Sequence, residues 1–211
     1  MKYSIVFLIF FITSSSCFSQ DTLRVGGYSS VGEFKNNSPS IGNVFIIKKR
    51  TSSDIRWNGG NDYKVEYSDS NINRKNIKYK FWAINQGDIL FINGWKLGLG
   101  IWYVKALTRG RFICLEGWIP VSKYLLKELR QAGLYNPVGG ILTIGRPFQY
   151  NSLRFLYVYD VELDKLRLLD EKNSLNILES HSVLRESFMT ESNKNKETFI
   201  KYIELLNKKS E

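Results

Sequence analysis

Trp57, Trp95, Trp102 and Trp118 lie in one stretch of the chain, interleaved with Lys80, Lys96, Lys105, Arg109 and Arg111. Indole faces stack on sugar rings, and lysine and arginine bind phosphate or carboxylate groups. The combination points to an anionic or glycan ligand, with Trp57, Trp95, Lys96, Arg109 and Arg111 as the candidate ligand-binding residues. Core packing is the competing use of a tryptophan and accounts for most of the four. A large aromatic side chain that stays exposed needs a reason.

Catalytic chemistry has fewer carriers. Cys114 lies inside the apolar run RFICLEGW, where cysteine behaves as a small buried hydrophobe rather than a nucleophile. His181, the single histidine, stands between Ser180 and Ser182 in a stretch that reads as the polar start of a helix, and no G-x-S-x-G is present. Two carboxylates about 5 to 9 Å apart would hydrolyse a glycosidic bond. Acids are sparse in the central part, and Asp88 belongs to a turn, which leaves Glu116, near Trp118, as the acid without another explanation. A small secreted hydrolase using Glu116 or Cys114 is therefore the alternative to a non-catalytic binding protein.

Metal and phosphate chemistry find no motif. One histidine and one distant cysteine make no zinc set. Asp160, Glu162 and Asp164 alternate as a solvated strand face would, without the glycine turn of a calcium loop. VGGILTIGRP carries glycines, but Arg146-Pro147 replaces the Lys-Ser/Thr pair of a phosphate loop. No metal or cofactor is expected.

These residues must be positioned by hairpins and helices. TLRVGGY reads as an edge strand, and Ser30 with Glu33 has the spacing of a capping box. VFIIKKR and YKVEYSD read as strands, and TSSDIRWNGGND between them as a long loop holding Trp57. YKFWAINQGDILFIN is the clearest hairpin. A turn at Gln86-Gly87 pairs Ile84 with Ile89 and Trp82 with Phe91, and both faces are apolar, so it should be central and covered on two sides. IWYVKALTRGRFICLEG repeats the form with a turn at Arg109-Gly110. A helix capped by Ser122 follows, with Tyr124, Leu125, Leu126 and Leu129 as its stripe and Gly133 as its end.

RFLYVYDVELDKLRLLD predicts a third hairpin, turning at Asp164-Lys165 and setting Glu162 opposite Arg167. Beyond it the pattern is helical. Ser174 starts one segment, NKNKE separates two helices, and Phe199, Tyr202, Ile203 and Leu206 form a stripe that clasps the domain. The expected architecture is α+β: an antiparallel sheet of hairpins, curled into a partial barrel or sandwich, with packed helices and a helical C-terminus.

The N-terminus sets the compartment. A lysine at position 2, the apolar run Ile5 to Ile12 and small residues from Thr13 to Ser16 make a secretory signal peptide, too short to span a bilayer. Cleavage near residue 20 discards Cys17 and leaves Cys114 without a partner. The alternative is a lipoprotein cut before Cys17, which would anchor the protein through that residue. The segments are then 1–20 as signal peptide, 21–170 as a β-rich domain and 171–211 as a helical segment packed on it.

Charge is uneven. Residues 44–155 hold 18 Lys and Arg against 7 Asp and Glu, whereas residues 156–211 hold 9 against 11. A basic centre outside the cytoplasm fits an anionic polysaccharide, lipid headgroups or an acidic envelope protein ahead of nucleic acid; a solvated lysine-rich face is the plain alternative.

GYSSVGEFKNNSP, the later KKR, FWAINQGDILFINGW, IWYVKALTRGRF and the terminal YIELLN together resemble an exported protein family of Bacteroidetes-type bacteria with no assigned function. The resemblance implies export and a shared fold, and carries no catalytic or ligand residues with it.

Overall fold

The computed structural model describes residues 23–68, 77–134 and 153–209. The signal segment with Cys17 and the VGGILTIGRP stretch lie outside the described residues. The architecture is α+β, as expected. One antiparallel sheet has the order β1-β4-β5-β6-β3-β2, and a second has the order β7-β8-β9. The strands of the first are β1 (Gly26–Tyr28), β2 (Phe45–Lys49), β3 (Tyr63–Tyr67), β4 (Ala83–Asn85), β5 (Leu90–Asn93) and β6 (Tyr103–Lys105). Those of the second are β7 (Phe112–Gly117), β8 (Phe155–Asp160) and β9 (Lys165–Leu168). Gly27 also bridges Ile41, just before β2, so the two edges of the larger sheet approach and it curls into a partial barrel. Only glycine fits at that approach: a Cβ on Gly27 would lie 2.7 Å from the Phe45 ring.

Three cores follow from the alternation of side chains along the strands. Phe45, Val65, Phe81, Ile84, Phe91 and Tyr103 fill one side of the curled sheet. Trp82, Ala83, Leu90, Ile92 and Val104 on its other side meet Ile113, Leu115, Tyr157 and Tyr159 of the second sheet. Phe112, Cys114 and Val158, on the far side of that sheet, pack against the C-terminal helices. Every residue of β4 and β5 is buried, so this hairpin is covered on both faces, as its sequence predicts.

The helices are α1 (Val31–Lys35), α2 (Ser52–Asn58), α3 (Ile77–Lys80), α4 (Lys123–Gln131), α5 (Glu171–Ile177), α6 (Ser182–Thr190) and α7 (Lys196–Lys209). Ser30 caps α1 by accepting the Glu33 N–H at 3.1 Å, and Glu33 reaches back to the Ser29 N–H at 2.6 Å. Gly133 follows α4 in a left-handed conformation, and Leu125 and Leu129 bury its stripe while Tyr124 stays exposed. Tyr202, Ile203 and Leu206 of α7 are buried against the second sheet. Asn207 fastens α7 there: its Oδ1 accepts the Phe112 N–H at 2.9 Å, and its Nδ2 donates to the Phe112 and Arg109 carbonyls.

Several local expectations are corrected. The segment around Trp57 is a helix rather than a loop, because Thr51 Oγ1 accepts the Asp54 N–H at 3.1 Å and nucleates α2. Residues 77–80 form a helical turn, and the strand starts only at Ala83. Ala83 pairs with Ile92, Ile84 with Phe91 and Asn85 with Leu90, two residues away from the expected register, because the loop runs from Gln86 to Ile89 and is closed by the Gln86 N–H on the Ile89 carbonyl.

The next two strands do not form one hairpin. β6 and β7 belong to different sheets, joined by the bridge Ala106↔Leu115. In the third hairpin the turn spans Val161 to Asp164, so Arg167 faces Val158 and Glu162 stands outside the ladder. Asp160, Glu162 and Asp164 therefore share no strand face. Asp160 Oδ1 instead accepts the Glu162 and Leu163 amides at 3.0 and 3.1 Å. Finally, Asp170 rather than Ser174 starts α5, accepting the Asn173 N–H at 2.7 Å.

A candidate ligand face of aromatic rings and cations

Where β3 and β6 meet, the sheet is held by a single pair, Tyr63↔Tyr103. Trp102, the residue before β6, lies at this seam. Its ring centroid is 5.7 Å from Lys64 Nζ, 5.9 Å from Lys78 Nζ and 6.0 Å from Arg50 Cζ. These cations come from β3, from α3 and from the end of β2. Lys78 Nζ also lies 4.8 Å from the Tyr79 ring, and Tyr79 meets Trp95 edge-on with centroids 5.2 Å apart. Trp95 is 54% exposed, and Lys96 beside it is exposed.

Two buried asparagines build this face. Asn93, at the end of β5, is fully buried and donates from Nδ2 to the carbonyls of Lys78 and Phe81 at 3.0 and 2.8 Å. Its Oδ1 accepts the Trp95 N–H at 3.0 Å. One carboxamide thus sets α3, which carries Lys78 and Tyr79, against the turn that carries Trp95. The Tyr103 hydroxyl adds a bond to the Ile77 carbonyl at 3.1 Å. Asn61 does the same for Trp102. Its Nδ2 donates to the Leu99 and Ile101 carbonyls at 2.9 and 3.2 Å, and its Oδ1 accepts the Trp118 N–H at 2.9 Å.

Trp102 has φ of 74°, a left-handed conformation that a bulky side chain rarely adopts and that costs about 1–3 kcal/mol. The bonds from Asn61 and the Gly94 N–H, which donates to the Trp102 carbonyl at 2.9 Å, hold the backbone there. Strain of this kind persists where surrounding contacts over-determine the position.

Two of the three cations are compensated. Arg50 is buried; its Nε donates to Asp54 Oδ2 at 2.7 Å, and its Nη1 donates to the Gly59 and Asn61 carbonyls, both at 2.7 Å. The Arg50 hydrogen bond, with help from Asn58, holds the Asp54 carboxyl down to about 2. Lys64 lies 3.4 Å from Glu66, whose carboxyl is held below its usual value chiefly by a hydrogen bond from Lys48. Lys78 and Lys96 have no carboxylate within 4.0 Å among the described residues. The face therefore offers rings beside cations that lack a carboxylate among the described residues, the arrangement that a sugar bearing acidic groups would use.

The profile of a family of unknown function, DUF6563, matches residues 26–210. The chain belongs to that family. No curated protein and no solved structure matches it. For DUF6563 the chemistry must accordingly be read from this chain's own side chains.

The structure distributes the candidate residues over separate places. Trp95 and Lys96 share the face just described. Trp57 stands 65% exposed on α2, the helix that Arg50 anchors through Asp54. Arg109 donates to the Gly87 carbonyl at 2.6 Å and lines a cavity of about 420 Å³ with Lys105, Glu204 and Lys208. Arg111 lines a different cavity, under β8 and β9. Trp118 packs on Gly100, where a Cβ would lie 2.4 Å from its ring, so its place is structural.

Glu116 is ion-paired to Lys196 of α7. The Cys114 thiol is fully buried, and burial pushes its pKa up to about 12. His181 sits at the start of α6, its Nδ1 2.9 Å from Ser180 Oγ. Among the described residues no group of three potential metal ligands is found, and no helix is long and apolar enough to cross a membrane.

Sequence reasoning did not single out Lys64, Lys78 and Tyr79. The NIKYK run ahead of Phe81 was the available signal, since alternating cations and an aromatic residue within a few positions place both chemistries on one short turn.

Proposed function

We propose that this protein is an exported, non-catalytic binding protein whose Trp95–Tyr79–Trp102 face takes an anionic saccharide. Sugar rings lie on the exposed aromatic surfaces, and acidic substituents pair with Lys78 and Lys96. The observation that carries this reading is the cluster of Arg50, Lys64 and Lys78 around one indole, with Lys78 lacking a carboxylate partner among the described residues. The basic central part of the chain supports it through long-range attraction of a polyanion. The apolar run Ile5 to Ile12 supports export to a periplasmic or external space where such polymers occur. The hydrolase alternative has less support, because Cys114 is enclosed and Glu116 is engaged by Lys196.

Calorimetric titration with polygalacturonate, with dextran as the neutral control, tests the proposal. Polygalacturonate should bind, and binding should weaken about tenfold or more between 50 and 300 mM NaCl. Trp95→Ala and Lys78→Gln should each weaken it at least about fivefold. Binding that depends on salt but is indifferent to both substitutions would assign it to a diffuse lysine-rich surface and overturn the proposal. Turnover of the polymer abolished by Glu116→Gln would favour the hydrolase.

A further inference from the structure

A cavity of about 400 Å³ opens beneath the second sheet, between β8–β9 and the segment that ends α5. It is separate from the ring-and-cation face. Phe112, Val158 and Ile177 give it apolar walls, and all three belong to, or pack on, the core under the C-terminal helices. Arg111, Lys165 and Arg167 supply cations, and Asp160 and Glu179 supply acids.

The acids and cations are not equally free. Asp160 is spent on the turn amides of Glu162 and Leu163 and on Arg111 Nη2, 3.4 Å away. Arg111 Nη1 pairs with Glu162 at 2.8 Å, while its Nε is buried without a hydrogen-bond partner among the described residues. Arg167 has no carboxylate within 4.0 Å among the described residues. The cavity thus keeps unspent guanidinium donors above an apolar floor. Glu179, which has no ion pair among the described residues, opposes a second negative charge on any guest.

We propose that this cavity binds a small monocarboxylate with a compact apolar body, its carboxylate on Arg167 and Arg111 and its body on Phe112, Val158 and Ile177. The volume lies in the lower part of the range of small-molecule pockets, about 300–1,000 Å³. A planar carboxylate matches the guanidinium fork, whereas a phosphate dianion would face Glu179.

The test is titration of the purified protein with benzoate, followed by calorimetry and by the methyl NMR signals of Val158 and Ile177. Benzoate should bind with Kd below about 1 mM and shift both signals, while benzyl alcohol and phenyl phosphate should bind at least about tenfold more weakly. Arg167→Gln should weaken benzoate at least about tenfold with Tm unchanged, since that side chain carries no ion pair among the described residues. Arg111→Lys, which keeps the charge but loses the fork, should weaken it as well. Failure of benzoate to bind, equal binding of benzyl alcohol, or indifference to Arg167→Gln would overturn the assignment. Trp95→Ala should leave benzoate binding intact, so the outcome is independent of the saccharide reading.

Discussion

The buried carboxamide of Asn93 accepts the Trp95 N–H at 3.0 Å and donates to the Lys78 carbonyl at 3.0 Å, so one side chain fixes the two halves of the candidate ligand face. Removing it should be felt twice. Asn93→Ala leaves two carbonyls and one amide with a lost partner in a fully buried place, which should cost about 2–4 kcal/mol, visible as a lower urea midpoint. At temperatures where the variant stays folded, polygalacturonate affinity should fall although no ligand contact was deleted. A normal midpoint would mean that α3 is held chiefly by Tyr103 and by apolar packing.

Trp102 predicts an inversion of the usual ranking of substitutions. At φ of 74° an alanine keeps the left-handed penalty, whereas a glycine does not. Trp102→Gly should therefore be more stable than Trp102→Ala by about 1 kcal/mol, although glycine is ordinarily the worse replacement. Both should lose saccharide affinity alike. Thermal melts of the pair decide it, and alanine melting above glycine would show that the backbone relaxes out of the left-handed region once the ring is gone.

How much was legible follows from what a period-two pattern can encode. In YKFWAINQGDILFIN the alternation identifies the strands and says that both faces are apolar, and β4 and β5 are buried throughout. The pairing came out two residues away, because moving a register by an even number keeps every side chain on its face. The apolar pattern is blind to such a shift, and the bond between Gln86 and Ile89 that sets the loop leaves no hydrophobic trace. The same blindness explains the third hairpin, where Tyr157 opposes Leu168 and the turn takes in Val161 to Asp164. Trp95 was legible as a possible exposed aromatic residue. The ring of cations around Trp102 was not, since Arg50, Lys64 and Lys78 converge from three elements and only the fold places them together.

Asp54 gives a pH dependence with a definite sign. Its folded pKa, about 2, lies below the ordinary 3.8, so its ion pair with Arg50 contributes fully above about pH 4 and is lost as pH falls towards 2. Asp54→Asn should lower stability at pH 7 by about 1–2 kcal/mol, a modest amount because the Asp54 side chain is 39% exposed while Arg50 keeps its backbone carbonyl partners at Gly59, Asn61 and residue 54. The gap between variant and wild type should close by about pH 2. Urea midpoints at pH 7, 4 and 2.5 would reveal it. A gap that stays constant would assign the loss to the Asn58 contact or to the capped helix instead.

Cys114 separates the two readings of its chemistry through reactivity. Its thiol accepts no solvent contact, and burial raises its pKa to about 12, partly offset by a hydrogen bond with Thr108. At pH 8 the thiolate fraction is then about one part in ten thousand, against about one in ten for a thiol at its ordinary value of 9.0. Native protein should not react with a disulfide reagent within an hour, whereas protein in 6 M guanidinium should react at once. Because the folded pKa is the raised one, this thiol's contribution to stability is complete below about pH 9 and declines as pH climbs from there towards 12. Cys114→Ser should lose about 1–3 kcal/mol through a buried hydroxyl, and Cys114→Ala rather less. The unfolded thiol count also reads the N-terminus, since a second reactive thiol means that Cys17 is retained and unmodified. Rapid native labelling that His181→Ala slows would instead mark Cys114 as an activated nucleophile, and the binding-protein reading would yield to the hydrolase.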